Sequence, residues 1–123
     1  MAKVLIVDDA TIMRINMKRI LEQLGHEVIG EAVNGLDAVE KYDTLKPDFV
    51  TMDITMPEAG GVEDGIEATK RIREADPKAK IIMVTSHGEQ DKVIRAIQNG
   101  ASNYMLKPLN VDKLTEIIEK LKL

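Results

Sequence analysis

Asp53 closes the run Phe49-Val50-Thr51-Met52, and three other β-leaning runs stop in the same way, at a residue able to do chemistry. Val4-Leu5-Ile6-Val7 stops at Asp8-Asp9, Ile81-Ile82-Met83-Val84 at Thr85-Ser86, and Asn103-Tyr104-Met105-Leu106 at Lys107-Pro108. Short runs of this kind read as strands, the wholly apolar ones as buried strands. If the strands are parallel, their ends bring three carboxylates, a hydroxyl and an ammonium to one edge. Carboxylates gathered there repel one another, so some must take up protons or a cation. Mg²⁺ suits such a place, as a hard ion held by one or two carboxylates, a carbonyl and several waters. With the cation present, Asp53 stays ionised and can act as a nucleophile towards a phosphoryl group. Thr85 would offer its hydroxyl to a phosphoryl oxygen, and Lys107 a positive charge with rotatable donors.

Taken singly, each residue has a plainer role. Asp53 can open a turn. Asp8-Asp9 after a strand suits the start of a helix, where acceptors and negative charge are favoured. Thr85 can be a turn hydroxyl and Lys107 a solvated loop charge. His26 and His87 stand alone, without ligand partners, and read as surface residues. The weight rests on the set, distributed over four strand ends.

These residues would be positioned by a regular alternation of strands and helices. After the first strand, Met13, Met17, Ile20, Leu21 and Leu24 recur at helical spacing, with Thr11 as a candidate cap and Gly25 as a terminator. Glu27–Ala32, interrupted by Gly30, suits an edge strand. Asn34-Gly35 turns into a second helix carrying Leu36, Val39 and Tyr42, closed by Pro47. Ile66, Thr69 and Ile72 mark a third helix, Val93, Ile94 and Ile97 a fourth. Val111, Leu114, Ile117, Ile118 and Leu121 stripe the last. This order predicts an α/β fold with a parallel sheet covered on both faces by helices. The strands ending at Val7, Asp53 and Thr85 belong in its middle. A single domain over residues 1–123 is expected, with no room for an output domain.

Composition excludes several classes. Seventeen basic against 21 acidic residues give a net charge of −4, which provides no basic face for nucleic acid. One Phe and two Tyr are too few for a base-stacking platform. Without cysteine there are neither disulfides nor thiolate metal sites. The opening apolar run is too short for a signal peptide, and nothing approaches the roughly 20 apolar residues of a membrane span. A cytoplasmic protein that does not insert in a membrane is expected.

Val4–Asp9, Asp53 with Met56-Pro57, Thr85-Ser86 and Lys107-Pro108 resemble the receiver domain of two-component response regulators, and the resemblance runs from Lys3 to Leu121. Val50–Glu58 and Asn34-Gly35 add a likeness to stand-alone chemotaxis receivers. The resemblance implies a doubly wound, flavodoxin-like sheet of strand order 2-1-3-4-5 with five helices. It implies that Asp53 accepts a phosphoryl group from a histidine kinase or a small phosphodonor. One Mg²⁺ would be held by Asp9, Asp53 and the backbone carbonyl of Thr55, with Asp8 acting largely through water. Lys107 would pair with the acceptor carboxylate and then with the phosphoryl group, and Lys107-Pro108 would be cis. Thr55 and His87 would flank the path of the hydrolytic water and tune the lifetime of the acyl phosphate. Thr85 would turn towards the phosphoryl oxygens and Tyr104 would fill the space behind it. That change biases an existing equilibrium at the face of the fourth helix, fifth strand and last helix. The chain would thus assist its own phosphorylation and dephosphorylation while acting first as a signalling switch. Expected partners are a chemotaxis-type histidine kinase, a flagellar switch protein or other output protein, and a phosphatase. The protein itself is expected to be a monomer.

One stretch departs from the family pattern. Ala59-Gly60-Gly61-Val62-Glu63 stand between Met-Pro-Glu and Asp64-Gly65 as an extension. Its glycines predict a mobile loop beside Asp53 affecting donor access and dephosphorylation, or else a tolerated insertion. Other classes fit less well. A haloacid-dehalogenase-type phosphatase wants an Asp where Thr55 stands, and Asp8-Asp9 would repel the phosphate of a flavodoxin cofactor. A Ser86-His87 hydrolase lacks the nucleophile elbow. The alternatives left open are a stand-alone phosphorelay carrier and a phosphate-independent binding module.

Overall fold

In the computed structural model, which describes Met1 to Leu123, the strands are β1 (Lys3–Val7), β2 (Glu27–Ala32), β3 (Phe49–Asp53), β4 (Ile81–Thr85) and β5 (Asn103–Leu106). They alternate with α1 (Thr11–Gln23), α2 (Gly35–Leu45), α3 (Gly65–Ala75), α4 (Gln90–Gln98) and α5 (Val111–Leu121). All strand pairs are parallel and the order is β2-β1-β3-β4-β5, as expected for the doubly wound sheet. β3 and β4 are buried along their whole length, and β1 beyond Lys3, as strands with helices on both faces must be. β2, with Gly30, is the half-buried edge.

Alternation along the strands sorts the core into two layers. Leu5, Val7, Val50, Met52, Ile81 and Met83 face a cluster closed by α2, α3 and Ala96 of α4. Val4, Ile6, Phe49, Ile82, Val84 and Met105 face the opposite way, onto α1 and α5. Full burial of a side chain such as Phe49 or Leu114 contributes about 1.5–3 kcal/mol, so these layers fix which strand ends lie side by side. Helix starts are set by caps. The side chains of Asn34, Asp64 and Asn110 accept from the N–H groups of Asp37, Glu67 and Lys113 at 2.8, 2.9 and 2.9 Å.

Local expectations required correction in three places. Thr11 does not cap α1 but is its first residue, behind Ala10, whose side chain has no acceptor to offer. The Asp8 carboxylate instead takes the Ala10 N–H at 2.9 Å, and Arg14 reaches back to the Asp8 carbonyl at 2.8 Å. His26 is half-buried rather than superficial. Its Nδ1 accepts the Ala2 N–H at 3.1 Å and its ring stands edge-on to Phe49, which holds its pKa below the usual value through burial and the N-terminal charge.

The extension after Glu58 is the third, since it is folded rather than loose. Ala59 and Val62 exchange both backbone hydrogen bonds across Gly60 and Gly61, whose φ values of +55° and +84° are those of a type I′ turn. Val62 is fully buried, and the Glu58 carboxylate and the Arg71 guanidinium hold the N–H and carbonyl of Gly61. The glycines are there for backbone geometry.

Candidate functional site

Strand register delivers the site. Val7 lies opposite Met52, so Asp8 falls beside Asp53. Asp53 pairs with Val84 and Thr85 with Leu106, so Thr85 and Lys107 each follow one step further along the same edge. Ligand oxygens of Asp8, Asp9 and Asp53 all lie within 4.8 Å of one another. The Lys107 Nζ stands 3.5 Å from Asp53 Oδ1 and 3.7 Å from Asp8 Oδ2, and Lys107-Pro108 is cis. Asp8 and Asp53 are buried, whereas Asp9 is exposed.

Asp53 carries the strain of this crowding. Burial pushes its pKa up to about 6, the charge of Asp8 adds to the rise, and Lys107 only partly offsets them. A divalent cation would remove that conflict. The donor set suits one: three clustered carboxylates and, at Thr55, a carbonyl oxygen that accepts no hydrogen bond from the chain. Asp8 already spends one oxygen on the Ala10 N–H and has the other against Lys107. Its two readings, helix-start acceptor and acidic site residue, therefore hold together. Behind Asp53, Gly65 opens α3 so close that an added Cβ would meet the Asp53 carbonyl oxygen at 2.0 Å, and its N–H donates to the Ile54 carbonyl at 2.8 Å.

Thr85 reaches the edge but its hydroxyl is turned away from the acids, donating to Glu89 Oε1 at 3.0 Å. The Ser86 N–H donates to the same oxygen at 2.9 Å, and the Thr55 hydroxyl donates to Oε2 at 2.7 Å. Lys92 Nζ approaches both Oε2 and the Thr55 hydroxyl at 3.4 Å. Although partial burial pushes the Glu89 pKa up, these donors outweigh it and bring it to about 2. Glu89 is the residue that the sequence reading missed. Its signal was there: a carboxylate four residues beyond the strand-end hydroxyl, just before the next helix. His87 is exposed and borders a shallow depression with Met13, Asn16, Lys107 and Pro108. Thr55, the other residue expected to tune the water path, is committed to Glu89.

Tyr104 stands outward, 43% exposed, and lines a groove with Val93, Ile94, Ile97 and Leu106 whose end is formed by Ser86 and Glu89. This is the face expected to switch.

The response regulator receiver domain family matches residues 4–119. The chain is 51% identical over 118 residues to the chemotaxis protein CheY of Thermotoga maritima, covering 96% of this chain and 95% of that protein. It is 49% identical over 120 residues to CheY of Listeria monocytogenes, covering 98% of each. Among solved structures it is similar to the CheX–CheY–BeF3–Mg²⁺ complex from Borrelia burgdorferi, with a TM-score of 0.89 and 32% identity across 98% of this chain and 89% of that one.

Proposed function

The chain belongs to the response regulator receiver family, and from that membership we propose that Asp53 accepts the phosphoryl group. As a receiver it is a two-component response regulator. Its similarity to chemotaxis proteins over almost its whole length supports a role in chemotaxis, with a CheA-like histidine kinase as donor and a flagellar switch protein as output. A dedicated phosphatase is a further partner of this reading. No helix is long and apolar enough to cross a membrane.

One observation carries the assignment of roles: the Lys107 ammonium reaches both Asp53 and Asp8 at the centre of the acid cluster. Receivers use Mg²⁺ at an acidic pocket. Here Asp9, Asp53 and the Thr55 carbonyl would hold it directly and Asp8 through water. When bound, the ion neutralises the carboxylates and orients the phosphoryl oxygens. Asp53 attacks phosphorus in line, its new P–O bond replacing the P–N bond of the donor's phosphohistidine. Lys107 then pairs with a phosphoryl oxygen in place of Oδ1. A water attacking the acyl phosphate from the open side restores the carboxylate, with Thr55 and His87 beside its path.

The Thr85 hydroxyl turns to the phosphoryl oxygens and Tyr104 moves from its exposed position into the space vacated. For a resting ratio near 1:99 to be inverted, the phosphoryl group must favour the active form by about 5.5 kcal/mol. With acetyl phosphate and Mg²⁺, intact-protein mass spectrometry should show one labile phosphoryl group, and Asp53→Asn should abolish it. Undiminished labelling in that variant would reject the assignment. Capture of the flagellar switch protein only by phosphorylated protein would support the chemotaxis output; capture of a histidine phosphotransfer protein instead would oppose it.

A further inference from the structure

Glu89 ties together the loops that leave β3 and β4. It occupies the cap position of α4, yet its side chain caps none of the backbone N–H groups of that helix. The carboxylate turns aside and gathers the hydroxyl of Thr85 at the end of β4, the N–H of Ser86, and the hydroxyl of Thr55 after β3. Lys92, one turn into α4, holds the outer oxygen from the other side at 3.4 Å.

A threonine hydroxyl has one proton to donate. The Thr85 proton cannot lie on Glu89 and on a phosphoryl oxygen of Asp53 at the same time. Hydrogen bonds to a carboxylate are stronger than those between neutral groups, so the resting position of Thr85 is actively held.

We propose that Glu89 is an anionic latch of the resting state: a positioning residue that holds Thr85 away from Asp53 and must yield it before the face lined by Tyr104 can change. The proposal rests on the reading of Asp53 as acceptor and of Thr85 as the hydroxyl that follows the phosphoryl group. It adds that a carboxylate on α4 competes with the phosphoryl group for that hydroxyl. Removing the carboxylate raises the fraction of molecules ready to bind, and the apparent dissociation constant falls by the same factor. Because Glu89 is also the first residue before α4, release loosens the start of the helix that bears Val93, Ile94 and Ile97.

The test is calorimetric titration of the whole protein with beryllofluoride, a phosphoryl mimic, at fixed Mg²⁺. Glu89→Ala should bind roughly ten- to a hundredfold more tightly than the parent, as expected for loss of a charge-assisted hydrogen bond that opposes binding. Glu89→Gln, which keeps the side chain's shape and an acceptor for Ser86, should give a smaller gain and guards against misfolding of the alanine variant. In a Thr85→Ala background, Glu89→Ala should give no gain at all. Equal or weaker binding by both Glu89 variants would overturn the latch while leaving the acceptor assignment standing. A gain that persists undiminished without the Thr85 hydroxyl would also overturn it, since charge alone would then account for the effect. Absence of Asp53-dependent binding by the parent would reject the acceptor reading itself and the latch with it.

Discussion

Helices α4 and α5 flank the same strand, and both show an apolar stripe at helical spacing, yet they have been put to different uses. α5 buries Leu114, Ile117, Ile118 and Leu121 and is capped by Asn110. α4 buries only Ala96, leaves Ile94 60% and Ile97 44% exposed, and begins at a glutamate whose side chain is engaged elsewhere. One helix holds the sheet together. The other is attached through Ala96, Val93 and a few polar contacts to the loops around Asp53, and leaves Ile94 and Ile97 facing outward. A large exposed apolar surface next to a reactive centre is what a switchable binding face requires.

This contrast can be broken by measurement, and its largest expected consequence lies in α5. Leu114→Ala should destabilise the protein by about 2–5 kcal/mol in denaturant unfolding, the range for a fully buried leucine. A cost below about 1 kcal/mol would show that α5 is no more essential to the fold than α4.

The strand-end acids belong with α4, as a place where stability is given up. The Asp53 pKa is raised from 3.8 to about 6, so the folded chain binds more protons than the unfolded chain between those values. Stability contributed by this group therefore falls as pH rises through that window, and the full penalty is present at pH 7. In chelator, Asp53→Asn should be more stable than the parent at pH 7, by an amount on the order of 2 kcal/mol, and about equal to it at pH 4. A difference independent of pH would remove the claim.

Asn110→Ala should cost about 1 kcal/mol through loss of the α5 cap. The smallest effect is expected at Ile94, where replacement by serine should change stability by no more than about 0.5 kcal/mol while weakening any partner that uses the α4 groove. A large loss of stability at Ile94 would mean that the groove is structural after all.

Apolar runs ending in reactive residues made the alternation of elements, the central place of three strands and the gathering of Asp8, Asp9, Asp53 and Lys107 legible, whereas the full sheet order came only with the family resemblance. It could not tell the fate of α4 from that of α5. Periodicity reports that a helix has an apolar stripe, and only the distance to neighbouring elements decides whether the stripe is covered. Thr11 was misread because a capping residue type does not reveal which residue occupies the cap position. Gly60 and Gly61 were read as freedom where they supply the positive φ of a tight turn. Glu89 was not singled out: its spacing from Thr85 is visible in the chain, but its other partner, Thr55, lies on a separate loop that no spacing joins to it.

Gly65 extends the reach of the chemistry beyond the groups that perform it. Any side chain there would press on the peptide group of Asp53, the proposed acceptor, from behind, so the identity of this buried residue is dictated by what it packs against. A saturation survey scored by signalling output would rank this position beside the acids themselves, although it has no functional group to lose. Inactivity at a position therefore does not by itself mark a participant in the reaction; it can mark the wall against which the participant is braced.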